Sequence, residues 1–148
     1  MPTVSRTFTV ESSPAVVVPY LADFGNAEHW DPGTEECTRN DSGPVVVGST
    51  WHNKSKIAGV STELTYTLQE LTEDRVVLIG RNDTATSTET IEVTPSGTGA
   101  SITYTNEIDF HGAAKLASPL AKVVFEKIGG DVVKQMTDVL NALPRQSM

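Results

Sequence analysis

The sequence has 148 residues, 38% hydrophobic and 20% charged, which fits one soluble globular domain with a core large enough to enclose a pocket. Eleven basic against nineteen acidic residues leave a formal charge of −8, which argues against nucleic-acid partners and anionic membrane surfaces, since both call for a basic face. The single cysteine, Cys37, excludes an intrachain disulfide and a cysteine-based zinc cage, and it fits a reducing, cytoplasmic setting.

Met1 to Val10 has no apolar h-region, so no signal peptide is expected. No stretch approaches the ~18 apolar residues of a membrane span, so no integral membrane association is expected. Arg6 to Glu11 alternates around Phe8 and Val10 and reads as the first strand. Ser12-Ser13-Pro14 is a helix start, a serine N-cap followed by a proline whose missing N–H costs nothing there. The helix from Pro14 to about Phe24 carries Val17, Tyr20, Leu21 and Phe24 at helical spacing. Pro19 should kink or split it, and Gly25 ends it. A short turn from Asn26 to Trp30 follows, and Asp31-Pro32-Gly33 signals another turn.

From there the pattern is almost all β, with strands near 34–40, 48–57, 61–71, 75–82, 85–94 and 100–110. Short connections predict an antiparallel meander. The period then changes. Leu116, Leu120, Val124, Ile128, Val132, Met136, Leu140 and Leu143 form one apolar stripe on a long helix over about 115–143. Gly129-Gly130 should weaken or bend that helix, and Pro144 should stop it. The order predicts an α+β fold: a curved antiparallel sheet of about seven strands wrapped around a long C-terminal helix, with two short helices after the first strand. A helix covering part of the concave face leaves the remainder as a cavity, a geometry that small-molecule sites favour.

Several short landmarks occur in a telling order: Val10-Glu11-Ser12-Ser13-Pro14, Trp30-Asp31-Pro32-Gly33, Val47-Gly48-Ser49-Thr50-Trp51, Glu89-Thr90-Ile91, the segment Gly99 to Tyr104, and the C-terminal helix. The ordered set resembles the START-like, Bet v 1-like (SRPBCC) superfamily, and within it the bacterial polyketide cyclase/dehydratase-like proteins. The resemblance spans essentially all of 1–148. It implies one helix-grip domain with a pocket for apolar or aromatic ligands. No landmark is a catalytic signature, and the superfamily includes binding proteins, lipid carriers, ubiquinone-binding proteins, aromatase/cyclases and co-chaperone-like members, so it implies fold more sharply than function.

Strand alternation assigns faces. Trp51, Asn53, Ser55 and Ile57 face in while Thr50, His52, Lys54 and Lys56 face out. Leu64, Tyr66 and Leu68 face in. Ser87, Glu89, Ile91 and Val93 share one face, and Ile102, Tyr104, Asn106, Ile108 and Phe110 share the inward face of the next strand. Pairing Val93 with Ile102 across the hairpin at Gly97 sets Ile91 opposite Tyr104 and Glu89 opposite Asn106. The run Val76 to Ile79 resolves to neither face.

Glu89 is therefore an inward carboxylate, in need of partners or a raised pKa. Asn106, Tyr104 or Asn53 are the candidate hydrogen-bond donors. Glu89 reads as a structural or wet carboxylate, as a polar group of a pocket, or as a general acid or base. Trp30, Trp51, Tyr66 and Tyr104 read as core or as the wall of an aromatic site, with Trp30 either anchoring the helix–strand connection or standing at a mouth. Leu116, Leu120 and Val124 lie over the pocket if the helix follows the family's course. His29, His52 and His111 fit no metal-ligand spacing, Gly97-Thr98-Gly99 is a hairpin turn and not a phosphate loop, and no cofactor is implied. The expected function is binding of a small hydrophobic or aromatic molecule (lipid, quinone or polyketide-like) between sheet and C-terminal helix, by a monomer or homodimer. The alternatives are a cyclase/dehydratase using the same pocket and a co-chaperone-like interaction module.

Overall fold

The computed structural model describes residues 3–57, 60–111 and 119–143. The chain runs β1 (Thr3–Val10), α1 (Pro14–Ala22), a 3-10 turn (Phe24–Asn26), α2 (Ala27–Trp30), β2 (Thr34–Arg39), β3 (Thr50–Ile57), β4 (Val60–Leu71), β5 (Arg75–Arg81), β6 (Ala85–Ser96), β7 (Gly99–Phe110) and α3 (Pro119–Asn141). The seven strands form one sheet in the order β1-β7-β6-β5-β4-β3-β2. Every pair is antiparallel. β2 to β7 is a meander, and β1 closes onto the last strand. This is the START/Bet v 1 helix-grip arrangement.

The register follows the predicted hairpin: Val93 pairs with Ile102, Ile91 with Tyr104 and Glu89 with Asn106. The ambiguous strand resolves through its neighbours. Val76, Leu78 and Gly80 pair with Ile91, Glu89 and Ser87, so they lie on the inner face. Val77 lies on the other face and is nonetheless buried, which is why the run showed no period. Ile108 and Phe110 depart from expectation. They are only half-buried, near the end of β7 beyond the packed core.

Three expectations about the helices are corrected. α1 stops at Ala22, and Pro19 sits inside it without splitting it. The helix is short and held by burial of Val17, Val18, Leu21 and Ala22, so one missing hydrogen bond does not decide its course. Ser13 occupies the N-cap with extended backbone but makes no side-chain cap bond. The neighbouring Ser12 hydroxyl instead donates to the Leu140 carbonyl at 2.6 Å, while the Glu11 N–H donates to Asn141 Oδ1 at 2.8 Å. Together they clamp the end of α3 to the start of α1. Finally, α3 runs without a break through Gly129-Gly130. A Cβ at Gly129 would collide with Val4 of β1, so this glycine permits close helix–sheet approach and is no hinge. Val132, Met136 and Leu140 are buried as the stripe predicts. Leu116 lies outside the described residues, as do the side chains of Leu120 and Val124. No described helix is long and apolar enough to cross a membrane.

Candidate functional site

The inner face of the sheet carries an aromatic cluster and a polar one. Phe24, on the turn after α1, stands at the centre of the aromatics. Its ring centroid lies 4.5 Å from Tyr66, 6.0 Å from Trp30 and 6.2 Å from Trp51. Trp30, at the end of α2, also meets Tyr104 edge-on at 6.0 Å. The pleat turns Trp51, Tyr66 and Tyr104 inward from β3, β4 and β7. The Arg39 guanidinium, on the residue paired with Trp51, lies 5.6 Å from the Trp51 ring centroid, close enough for a cation–π contact. Both tryptophans are completely buried.

The polar groups sit on the same face. Asn53, Ser55, Ser87, Glu89 and Asn106 are all buried. Tyr66 lies flat across β5, where Gly80 makes room: a Cβ there would stand 2.6 Å from the tyrosine Cζ. That orientation brings the phenol toward the Ser87 hydroxyl, which opposes the rise of its pKa. Glu89 is 3% exposed, which removes the wet reading. The Tyr104 hydroxyl donates to Glu89 Oε1 at 2.6 Å, reaching diagonally from one inward position to the next on the neighbouring strand.

Two expected donors to Glu89 are engaged elsewhere. Asn106, directly opposite, donates to the Ser87 hydroxyl at 2.9 Å and to the Thr88 carbonyl at 3.3 Å. Asn53 donates to Thr34 at 3.1 Å and accepts from Ser55 at 2.6 Å. Glu89 Oε2, Trp30 Nε1 and Trp51 Nε1 are buried with no hydrogen-bond partner among the described residues.

A second carboxylate, Asp31, shapes the electrostatics. It was read from sequence only as part of a turn. Its Oδ1 accepts from the Gly33 N–H and its Oδ2 from the Thr34 hydroxyl, each at 3.0 Å. Burial raises its pKa, and those two bonds oppose the rise. Burial pushes Glu89 up to about 8. The Asp31 charge adds to the effect, and the Tyr104 bond works against it. Two carboxyls in one low-dielectric region are thus driven apart: the one with both oxygens bonded retains its charge more readily, and the one with a bare oxygen is held as the neutral acid near pH 7. Tyr66 and Tyr104 are raised by burial and by Glu89. Burial raises the Cys37 thiol to about 12, so it is no nucleophile.

The structure therefore brings Trp30, Trp51, Asn53, Tyr66, Glu89, Tyr104 and Asn106 together, with three separate hydrogen-bonded groups, Glu89–Tyr104, Asn106–Ser87 and Asn53–Ser55, around the aromatics. Phe24, Asp31 and Ser87 join them. Only Ser87 had a signal in the alternation; Phe24 and Asp31 sit on connections, where no period marks a facing. Among the described residues no group of three or more His, Cys, Asp or Glu side chains could hold a metal ion. His52 instead contacts Glu63 on the exposed outer face, and His111 pairs with Thr86.

A protein-family model described as polyketide cyclase / dehydrase and lipid transport matches residues 1–145. No curated protein matches the chain in sequence. Among solved structures, a START superfamily protein from Mycobacterium smegmatis superposes with TM-score 0.76 at 17% identity, over 96% of this chain and 99% of its own. A protein from Thermus thermophilus does so with TM-score 0.79 at 13% identity, over 95% and 98%. The di-domain ARO/CYC protein BexL from the BE-7585A biosynthetic pathway matches with TM-score 0.71 at 10% identity, over 96% of this chain and 50% of that one. At such identities the likeness is one of fold.

Proposed function

The chain belongs to the polyketide cyclase/dehydrase and lipid transport family, and from that premise we propose that it binds a small apolar or aromatic molecule, a lipid, quinone or polyketide-like compound. The ligand lies on the concave side of the sheet, between the sheet and the helices. One observation carries this reading: the inner face buries Asn53, Ser55, Ser87, Glu89 and Asn106 beside five large aromatics. A face serving only to pack a helix is stabilised best by apolar side chains, because each buried polar group must be matched or costs ~1–3 kcal/mol. Mixed aromatic and oriented polar groups are what a ligand site requires. Affinity comes mainly from apolar burial, at ~25 cal/mol per Å² before the costs of association, and the polar groups orient the bound molecule.

The test is native mass spectrometry of the purified chain, with organic extraction of whatever is bound, followed by titration of the extracted class while Trp30 and Trp51 fluorescence is recorded. A copurified hydrophobic compound that alters the emission is the expected result. A chain that is always apo, and whose emission no lipid, quinone or aromatic polyketide changes, ends the proposal.

A second reading, catalysis of a cyclisation or dehydration, draws on the Glu89 carboxyl: a buried neutral acid with one unbonded oxygen has the form of a general acid. In that reading the site holds a flexible chain in a reactive conformation, Glu89 donates a proton to a carbonyl or leaving hydroxyl oxygen, and Tyr104 steadies the carboxylate left behind. Conversion of the extracted compound by the native chain, lost in Glu89→Gln, separates this reading from binding alone.

A further inference from the structure

Among the described residues, four buried side-chain polar atoms have no hydrogen-bond partner: Trp30 Nε1, Trp51 Nε1, Arg75 Nε and Glu89 Oε2. Arg75 belongs to the strand surface, where it lies 3.5 Å from Glu70. Trp51 Nε1 lies by the backbone of Gly25, in a neighbourhood that includes the Cys37 carbonyl and the Asp23 carboxylate, so acceptors of the protein itself are at hand. Trp30 and Glu89 are different. They flank the same phenol: the Trp30 ring packs edge-on against Tyr104 at 6.0 Å, and the Tyr104 hydroxyl is already committed to Glu89 Oε1. An indole N–H can only donate, and a protonated carboxyl oxygen also donates. Two unsatisfied donors beside one aromatic wall call for an acceptor.

Resting on the binding role argued above, we propose that the ligand is a neutral molecule bearing a carbonyl-type oxygen, which accepts hydrogen bonds from the Glu89 carboxyl and the Trp30 indole. A carbonyl brings two lone pairs and no donor of its own, so nothing on either side is left unmatched. An anionic ligand would meet the Asp31 charge, which already acts on Glu89. Among the described residues, the titratable groups facing Glu89 are Asp31 from the turn before β2, Cys37 from β2, Tyr66 from β4 and Tyr104 from β7. Of these, Asp31 is the one whose charge raises Glu89, while the Tyr104 hydrogen bond lowers it. Glu89 stays a donor until the pH passes about 8.

The experiment compares 2-acetylnaphthalene with 2-ethylnaphthalene, which has the same carbon skeleton without the oxygen, by equilibrium dialysis against the full chain at pH 6 and pH 9.5. The ketone is expected to bind about tenfold more tightly at pH 6, the net worth of its hydrogen bonds after the carbonyl is desolvated, and to lose most of that preference at pH 9.5. Glu89→Gln, whose amide still donates, keeps the preference and loses its pH dependence. Trp30→Phe lowers the ratio of ketone to hydrocarbon affinity within that variant, whatever it does to the two affinities together. Equal binding of the two compounds to the native chain overturns the inference while leaving the binding role intact, as does a ketone preference in Glu89→Gln that still falls with pH. Tighter binding of 1-(2-naphthyl)ethylamine than of the ketone overturns it too, by showing a cation site. Failure of every probe to bind removes the binding role and this inference with it.

Discussion

Replacing Glu89 by glutamine should make the protein more stable at neutral and alkaline pH. The carboxyl titrates at 4.5 when unperturbed and at about 8 in the fold. Below pH 4.5 it is protonated in both states and contributes no pH dependence. Between 4.5 and about 8 the unfolded chain releases its proton while the native chain keeps it. Stability therefore falls as pH rises, by ~1.4 kcal/mol per pH unit. Over the whole interval the group removes roughly 5 kcal/mol, and above pH 8 the slope ends. Glutamine does not titrate, and its Oε1 still accepts from Tyr104, so the two proteins should be within about 1 kcal/mol of each other at pH 5. Urea denaturation of both proteins at pH 5, 6, 7 and 8 gives the difference directly, since groups not coupled to Glu89 cancel. The difference should widen in favour of Glu89→Gln by several kcal/mol from pH 5 to pH 8. Two parallel stability curves would refute the argument and show that Glu89 is ionised in the native state at neutral pH.

The adjacent glycines of α3 should respond oppositely to alanine. Gly130→Ala meets nothing within 4 Å and should gain ~0.5–1 kcal/mol of helix propensity, whereas Gly129→Ala drives a methyl into Val4 and should lose stability on balance; thermal melts of the two variants decide it. Gly80→Ala places a Cβ 2.6 Å from the Tyr66 ring, so the ring must leave its place against Ser87. A loss of ~1–3 kcal/mol and a changed near-ultraviolet circular dichroism signal are expected. Cys37, with its thiol raised to about 12 and 5% exposed, should resist a disulfide reagent at pH 8 in the native state and react at once in urea. Rapid native labelling would contradict its burial.

The sheet was legible because its strands alternate cleanly and its turns are short. Thr86, Thr88 and Thr90 against Ser87, Glu89 and Ile91 admit one facing, and the hairpin at Gly97 carries that facing to Tyr104 and Asn106 with no freedom to slip. Where alternation failed, at Val76 to Ile79, both faces are shielded and the pattern holds no information. Pro19 and Gly129-Gly130 misled because propensity treats a helix as isolated, whereas these helices are held by tertiary contacts; the collision that requires Gly129 involves Val4, 125 positions away in the chain. The hydrogen bonds of Glu89 were only partly legible for a related reason. Directly opposed Asn106 was the natural partner, but Ser87 and the Thr88 carbonyl compete for its amide, and the diagonal tyrosine has the reach that the opposed amide lacks.

The contrast between Asp31 and Glu89 bears on which of them serves the fold. Asp31 has each oxygen bonded to the turn it closes, a backbone N–H on one side and a hydroxyl on the other. Its geometry is fully accounted for by local structure. Among the described residues Glu89 makes one bond and leaves one oxygen bare in the interior, while its proton equilibrium works against folding throughout the neutral range. A chain shaped for stability alone would hold glutamine or an aliphatic residue there. Departures from local satisfaction concentrate at functional sites, where the deficit is made good by what the site binds. By that reasoning Asp31 has two effects from one position: it closes the turn after α2, and its charge helps keep Glu89 in the acid form that a carbonyl ligand needs.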